Sequence, residues 1–277
     1  MNLRQLMGLG IFLTAFTAVA DDNRLQTVLA SQTPEVQSRY PYRHPQQTLE
    51  FFDVKPEMTV VEVLPGRGWY SKILMAYLGP EGHLIGADYS IDLLRNFSFF
   101  SEQMLQNKLN WTSQWPKKAR SWVADGAEVS GFQFGSMPAE LNSTADRVLF
   151  IRAMHNLNRF DPAYLKAALA ESFMALKSGG ILGIVQHQAS ETKSDEWANG
   201  SRGYLKQSYV IEQAELAGFT FIEASDINHN AQDQPGADEV VWRLPPSLRG
   251  SKDNPEYRAK MIAIGESNRM TLKFSKP

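Results

Sequence analysis

The sequence predicts an α/β fold: a mostly parallel sheet with helices on both faces. Two observations carry this. Short β-branched apolar runs alternate with helical stretches at a spacing that allows crossover connections. The first run, Met58 to Leu64, is almost wholly apolar and leads straight into Pro65-Gly66-Arg67-Gly68. A strand buried on both faces that turns sharply into a helix has this form. Right-handed crossovers then place a ligand site at the carboxyl ends of the strands, near the reversal of strand order.

The remaining elements follow in order. Trp69 to Leu78 has helical spacing and stops at Gly79-Pro80, and His83 to Ala87 is a second strand ending at Asp88. Residues 90–131 carry Phe97, Phe99, Phe100, Trp111, Trp115 and Trp122 without a clear period and read as a helical insertion or lid shaping an acceptor pocket. Phe132 to Gly135 is a short third strand and Ala145 to Arg152 a fourth. Pro162 to Leu176 is a helix ended by Gly179-Gly180, and Ile181 to Gln186 a fifth strand. Ser208 to Ala217 is a helix ended by Gly218, and Phe219 to Ser225 a sixth strand. Val240 to Leu244 and Met270 to Phe274 compete for the seventh.

The first twenty residues differ from the rest. Arg4 precedes an apolar run from Leu6 to Val19, and Ala18-Val19-Ala20 offers small residues before Asp21-Asp22. This predicts a signal peptide over 1–20 and export to the periplasm, without stable membrane insertion after cleavage. Residues 21–48, with Pro34, Pro41 and Pro45, read as an arm holding one short helix, and 49–277 as one domain. The chain has 277 residues, 43% of them apolar, enough to cover both faces of a sheet. It has no cysteine, which excludes thiolate catalysis, Cys-ligated zinc and disulfides. A formal charge of -2 gives no basic excess to neutralise phosphates, so nucleic acid is not an expected partner.

Gly66 and Gly68 let backbone approach a ligand at a helix N-terminus, although a tight turn alone would also use them. Asp88 lies 20 residues past Gly68 at a strand end, where a carboxylate can accept both hydroxyls of a ribose or cap the next helix. Together they point to an adenosine-containing ligand. Glu62, before the glycines, suits a ligand with an ammonium group better than a dinucleotide phosphate.

His155 and Asn156 follow the fourth strand and His187 the fifth, at the ligand-facing edge. A neutral imidazole there can take a proton from an attacking hydroxyl or amine. His44 can fold back over the site from the arm. No two of these histidines stand at metal-ligand spacing, so no metal is expected. Arg152, Tyr204, Glu266 and Arg269 are candidates for substrate contact, though each alone also reads as a surface salt-bridge residue. No Asp/Asn-Pro-Pro-Tyr/Phe tetrad follows the fourth strand, which argues against amine methylation on DNA bases.

The segment Val60-Val61-Glu62-Val63-Leu64-Pro65-Gly66-Arg67-Gly68-Trp69-Tyr70 resembles the first motif of class I S-adenosylmethionine-dependent methyltransferases, and a bacterial group of exported predicted methyltransferases more closely. Tyr42-Arg43-His44-Pro45, Arg152-Ala153-Met154-His155-Asn156 and Ile264-Gly265-Glu266-Ser267-Asn268-Arg269 are also similar to that group. The resemblance covers most of residues 40–277. It implies a Rossmann-like, seven-stranded sheet with an antiparallel last strand. It also implies S-adenosyl-L-methionine as cofactor, with Glu62, Gly66 and Gly68 at its methionine end and Asp88 at its ribose. Tyr89 and Ser136 are counted with these cofactor positions. Two positions depart from the pattern: Leu64 replaces its first glycine, and Ser136 the acid often found near the adenine. The reading is a methyltransferase acting on an unidentified small molecule; the alternative is an inactive periplasmic binding protein derived from the same fold.

Overall fold

The computed structural model describes residues 23–277, so the leader expected over 1–20 lies outside the described residues. Residues 23–30 are helical (α1), followed by α2 (Pro34–Gln37), α3 (Tyr40–Arg43) and α4 (Pro45–Phe51). The arm is therefore several helical segments and not one. Pro34, Pro41 and Pro45 each sit in the first two positions of a helix, where the missing N–H has no partner to lose. The prolines start helices here.

The sheet strands and their connections follow: β1 (Thr59–Val63), α5 (Trp69–Leu78), β2 (His83–Asp88), α6 (Ile91–Leu94), α7 (Glu102–Leu109), α8 (Trp111–Arg120), β3 (Glu128–Gln133) and β4 (Ala145–Ile151). Next come α9 (Met154–Asn158), α10 (Pro162–Ala175), β5 (Leu176–Ala189), β6 (Leu205–Lys206), α11 (Gln207–Leu216), β7 (Thr220–Ser225), α12 (Pro255–Ile264) and β8 (Arg269–Ser275).

The sheet order is β3-β2-β1-β4-β5-β8-β7, with the two-residue β6 beside the end of β5. Pairings from β3 through β5 are parallel, whereas β8 runs antiparallel between β5 and β7. Of the two contenders for the last strand, Arg269–Ser275 forms it, with Met270, Leu272 and Phe274 buried. Val241–Arg243 is a single 3₁₀ turn. Pro245 and Pro246 follow it and have no N–H to give to a ladder.

Two boundaries differ from expectation for local reasons. β3 begins at Glu128, because Val129 and Phe132 pair with β2 while intervening polar residues hide the strand. α10 ends where Leu176 turns extended, so Gly179-Gly180 falls inside the long β5 and does not cap the helix.

Alternation along the strands builds two cores. Val61, Val63, Ile85 and Ala87 face α6, α10 and α11 through Leu93, Leu94, Leu165, Leu169 and Val210. Val60 and Leu84 face α1, α4, α5 and α8 through Leu25, Leu49, Phe52, Ile73 and Trp115. A period of two places Glu62 and Asp88 on this second face, beneath α5 and α8. Among the described residues no helix is long and apolar enough to cross a membrane.

Candidate functional site

The β1–α5 loop bends at three residues with positive φ: Leu64 (+53°), Gly66 (+56°) and Gly68 (+75°). Leu64 thus adopts the left-handed conformation itself, at a cost of about 1 kcal/mol, and its N–H donates to the Ala87 carbonyl at 2.7 Å. Losing the first glycine of the motif has not removed the bend. Gly66 faces open space, since a Cβ built there meets nothing nearer than the Leu64 carbonyl at 3.8 Å. Gly68 is required by packing: a Cβ there would lie 2.3 Å from ring carbons of Trp122.

Glu62 is buried, and the Ser71 hydroxyl on α5 donates to it at 2.5 Å. Burial pushes its carboxyl up to about 7, the Ser71 bond pulling only weakly the other way, and no cation offsets the burial. Asp88 is buried at the end of β2 and pairs with Lys108 Nζ of α7 at 2.5 Å. Burial still raises its carboxyl, although Lys108 and the Tyr89 N–H oppose this. Asp88 is not the cap of α6. Ser90 caps it, accepting from the Leu93 N–H at 3.2 Å.

A cavity of about 670 Å³ opens at the carboxyl ends of β1, β4 and β5. Its walls are the arm around Arg39 and Arg43, the loop Leu64 to Arg67, the β4 and β5 ends with Arg152, His155 and His187, and the segments at 241–247 and 266–267. His155 Nδ1 lies 3.2 Å from Gln186 Oε1, which also accepts the His155 backbone N–H. Gln186 Nε2 donates to the Gly203 and His187 carbonyls, fixing the amide orientation. His155 therefore carries its proton on Nδ1, and Nε2 keeps a free lone pair. His187 Nδ1 is 2.5 Å from the Ser267 hydroxyl, and the two imidazole centroids are 5.1 Å apart. Burial lowers His155 to about 4 and His187 well below its ordinary value, with neighbouring arginines adding to both shifts. Both rings are neutral at neutral pH.

Of the residues singled out from sequence, Gly66, Arg152, His155, Asn156 and His187 line this cavity together. Glu62, Gly68 and Asp88 lie behind its loop wall. Tyr89 packs edge-on against Phe97, and the Ser136 hydroxyl donates to the Gln133 carbonyl. His44 sits between α3 and α4 in a separate hollow with Tyr40. Tyr204 is buried behind His187, its hydroxyl bonded to Asp233 and Arg243. Residues 90–131 do not line the cavity; their tryptophans pack under the sheet instead, Trp115 against Gly86 and Trp111 against Gly131. Arg39, Arg43, Trp242 and Ser267 escaped the sequence reading. The motif Tyr42-Arg43-His44-Pro45 was the available signal for Arg43.

The reversal of strand order beside β1, with one antiparallel strand inserted between β5 and β7, decides the architecture. The fold is that of the class I methyltransferases. The structure is similar to the [4+2]-cyclase SpnF (TM-score 0.50, 14% identity, 85% of this chain and 80% of that one). It is equally similar to a chain from the complex between the Haloferax volcanii Trm112 methyltransferase activator and a methyltransferase (TM-score 0.50, 19% identity, 91% and 97%). In sequence, 139 residues are 28% identical to the ribosomal RNA small subunit methyltransferase H of Flavobacterium psychrophilum, covering 45% of this chain. The chain spans 47% of that relative's length. No protein-family profile matches the chain.

The residues of this methyltransferase fold fit S-adenosylmethionine best at its methionine end. Glu62 lacks a cation, and the ligand's ammonium is the charge it lacks. Gly66 offers backbone with open space beside it. At the ribose end Asp88 has the right chemistry, and Lys108 now holds it.

Proposed function

We propose that this protein transfers a methyl group from S-adenosylmethionine to a small molecule held in the cavity beside the β1–α5 loop. One observation carries the reading: the glycine loop that borders buried Glu62 shares a cavity with His155, whose Nε2 is free to accept a proton. In this reading Glu62 and Gly66 hold the methionine end of the cofactor, and Asp88 takes the ribose hydroxyls once Lys108 yields. When bound, the cofactor would supply an electrophilic methyl on a sulfonium, with a neutral thioether as leaving group. The acceptor's O–H or N–H gives its proton to His155 Nε2 as the new bond forms. Arg152 and the arm orient the acceptor, and alignment supplies much of the acceleration. The apolar run from Leu6 to Val19 supports export, and with it a periplasmic setting for this activity.

Calorimetry with S-adenosylmethionine and S-adenosylhomocysteine tests the cofactor. Both are expected to bind, with Glu62→Ala and Asp88→Ala each weakening them at least tenfold. No binding of either ligand at millimolar concentration overturns the proposal. His155→Ala should leave those affinities unchanged and slow methylation of acceptors found by mass spectrometry.

A further inference from the structure

The arginines around Glu266 do more than tie the arm to the sheet. Glu266 is buried, and its Oε1 accepts from Arg39 Nε and Arg43 Nε, each at 2.8 Å. Its Oε2 accepts from Arg269 Nη1 at 3.2 Å. Arg269 also donates to the Tyr42 carbonyl, and the Arg43 guanidinium lies 4.5 Å over the Trp69 ring. These contacts satisfy the carboxylate and join residues 227 positions apart. Arg152 is left over. Its Nη1 lies 3.7 Å from Glu266, beyond hydrogen-bond distance, and its Nε is buried without a partner. Arg152 also holds a φ of +59°, a backbone state rare outside glycine and frequent at ligand sites.

The charge on this wall is unbalanced. Four guanidinium groups surround one carboxylate, and the neutral imidazoles of His155 and His187 offset none of it. The other charged residues lining the cavity, Glu35, Arg67 and Lys72, add a further positive charge to this balance. The Arg152 side chain keeps a quarter of its surface open while its Nε is buried without a partner, so an anion can reach it and supply the acceptor it lacks.

We propose that the acceptor is an anionic small molecule whose carboxylate or phosphate group is bound by Arg152, beside His155. This rests on the methyl-transfer reading above. It makes Arg152 the residue that selects acids over neutral molecules, since Glu266 already occupies the other arginines.

Calorimetry of the purified chain at low salt tests the site with citrate and pyrophosphate as probes, beside S-adenosylhomocysteine. At least one anion should bind, and the tighter of the two names the acid group. Arg152→Gln should weaken it at least tenfold, Arg152→Lys less, and S-adenosylhomocysteine affinity should stay within twofold. Circular dichroism checks that both variants fold; Arg152→Gln gives up only the 3.7 Å ion pair to Glu266, and Arg152→Lys keeps the charge. Absence of binding by both anions, or wild-type anion affinity in both variants, overturns the proposal. Loss of S-adenosylhomocysteine affinity in Arg152→Gln, with competition between it and the anion, also overturns it, because the cluster then holds the cofactor's own carboxylate. Anion binding in a chain that never binds S-adenosylhomocysteine leaves the anion site standing and sinks the methyl-transfer reading instead.

Discussion

Lys108 Nζ lies 2.5 Å from Asp88 Oδ2, so an amine from α7 holds the buried carboxylate at the end of β2. Trp111 lies against the same lysine, 5.9 Å from Nζ to ring centroid. The helical segment therefore covers Asp88, the carboxylate proposed to take the ribose hydroxyls, through one ion pair.

Removing that lysine should favour the cofactor. A pair of this kind, part-exposed on the lysine side, is worth about 1 kcal/mol, or roughly fivefold in affinity. Lys108→Ala is expected to tighten S-adenosylhomocysteine binding by about that factor in calorimetry. Unchanged affinity would show that Lys108 and the ligand do not compete.

Glu62 carries a pH-dependent penalty. Its carboxyl sits at about 7 when folded against an ordinary 4.5. A raised carboxyl costs nothing below pH 4.5, and stability declines as pH rises from there through 7. The full loss is on the order of 3 kcal/mol. Glu62→Gln should raise the Tm at pH 8 by several degrees and change it little at pH 4. The same variant should weaken S-adenosylhomocysteine binding, since it removes the charge opposite the ammonium.

Glu266 behaves in the opposite sense. Burial alone would raise its carboxyl, but Arg269, Arg43, Arg152 and Arg39 together hold it at about 2. Its contribution is complete above pH 4.5 and is lost as pH falls towards 2. Glu266→Gln strands buried guanidinium groups and should cost about 3–5 kcal/mol at pH 7. Chemical denaturation at several pH values should show variant and wild type converging at the acid end.

Gly68 and Trp122 form a packing pair that a double-mutant cycle can isolate. Gly68→Ala adds a methyl overlapping the indole at a positive φ, with an expected loss of about 2–4 kcal/mol. In a Trp122→Ala background the steric part disappears, leaving roughly 1 kcal/mol. Full additivity of the two substitutions would refute the contact.

His155 should titrate near 4, because burial opposes its charged form. An imidazole NMR titration is expected to show no inflection for this ring near 6.5. The buried ring carries no protonation penalty above pH 6.5, and stability declines as pH falls from there through 4.

Much of this architecture is written in local sequence. A β-branched run followed by Pro65-Gly66-Arg67-Gly68 dictates a buried strand and a sharp turn, because strand burial and left-handed backbone each depend on a few adjacent residues. Glu62 and Asp88 were legible for the same reason: each is placed by its position along a strand. The number of helices in the arm and the start of β5 at Leu176 differ from expectation, since one proline or glycine signal fits more than one backbone path.

What the sequence by itself determined was the order of strands and helices and the edge at which chemistry gathers. Tertiary structure decided what lines the cavity. Arg39 and Arg43 meet Glu266 across more than 220 residues, and no periodicity records a pairing over that distance. Glu266 and Arg269, which read as surface salt-bridge residues, are buried. Tertiary packing also set the protonation states of Glu62, His155 and His187, because desolvation depends on everything that closes around a group and not on its neighbours in the chain.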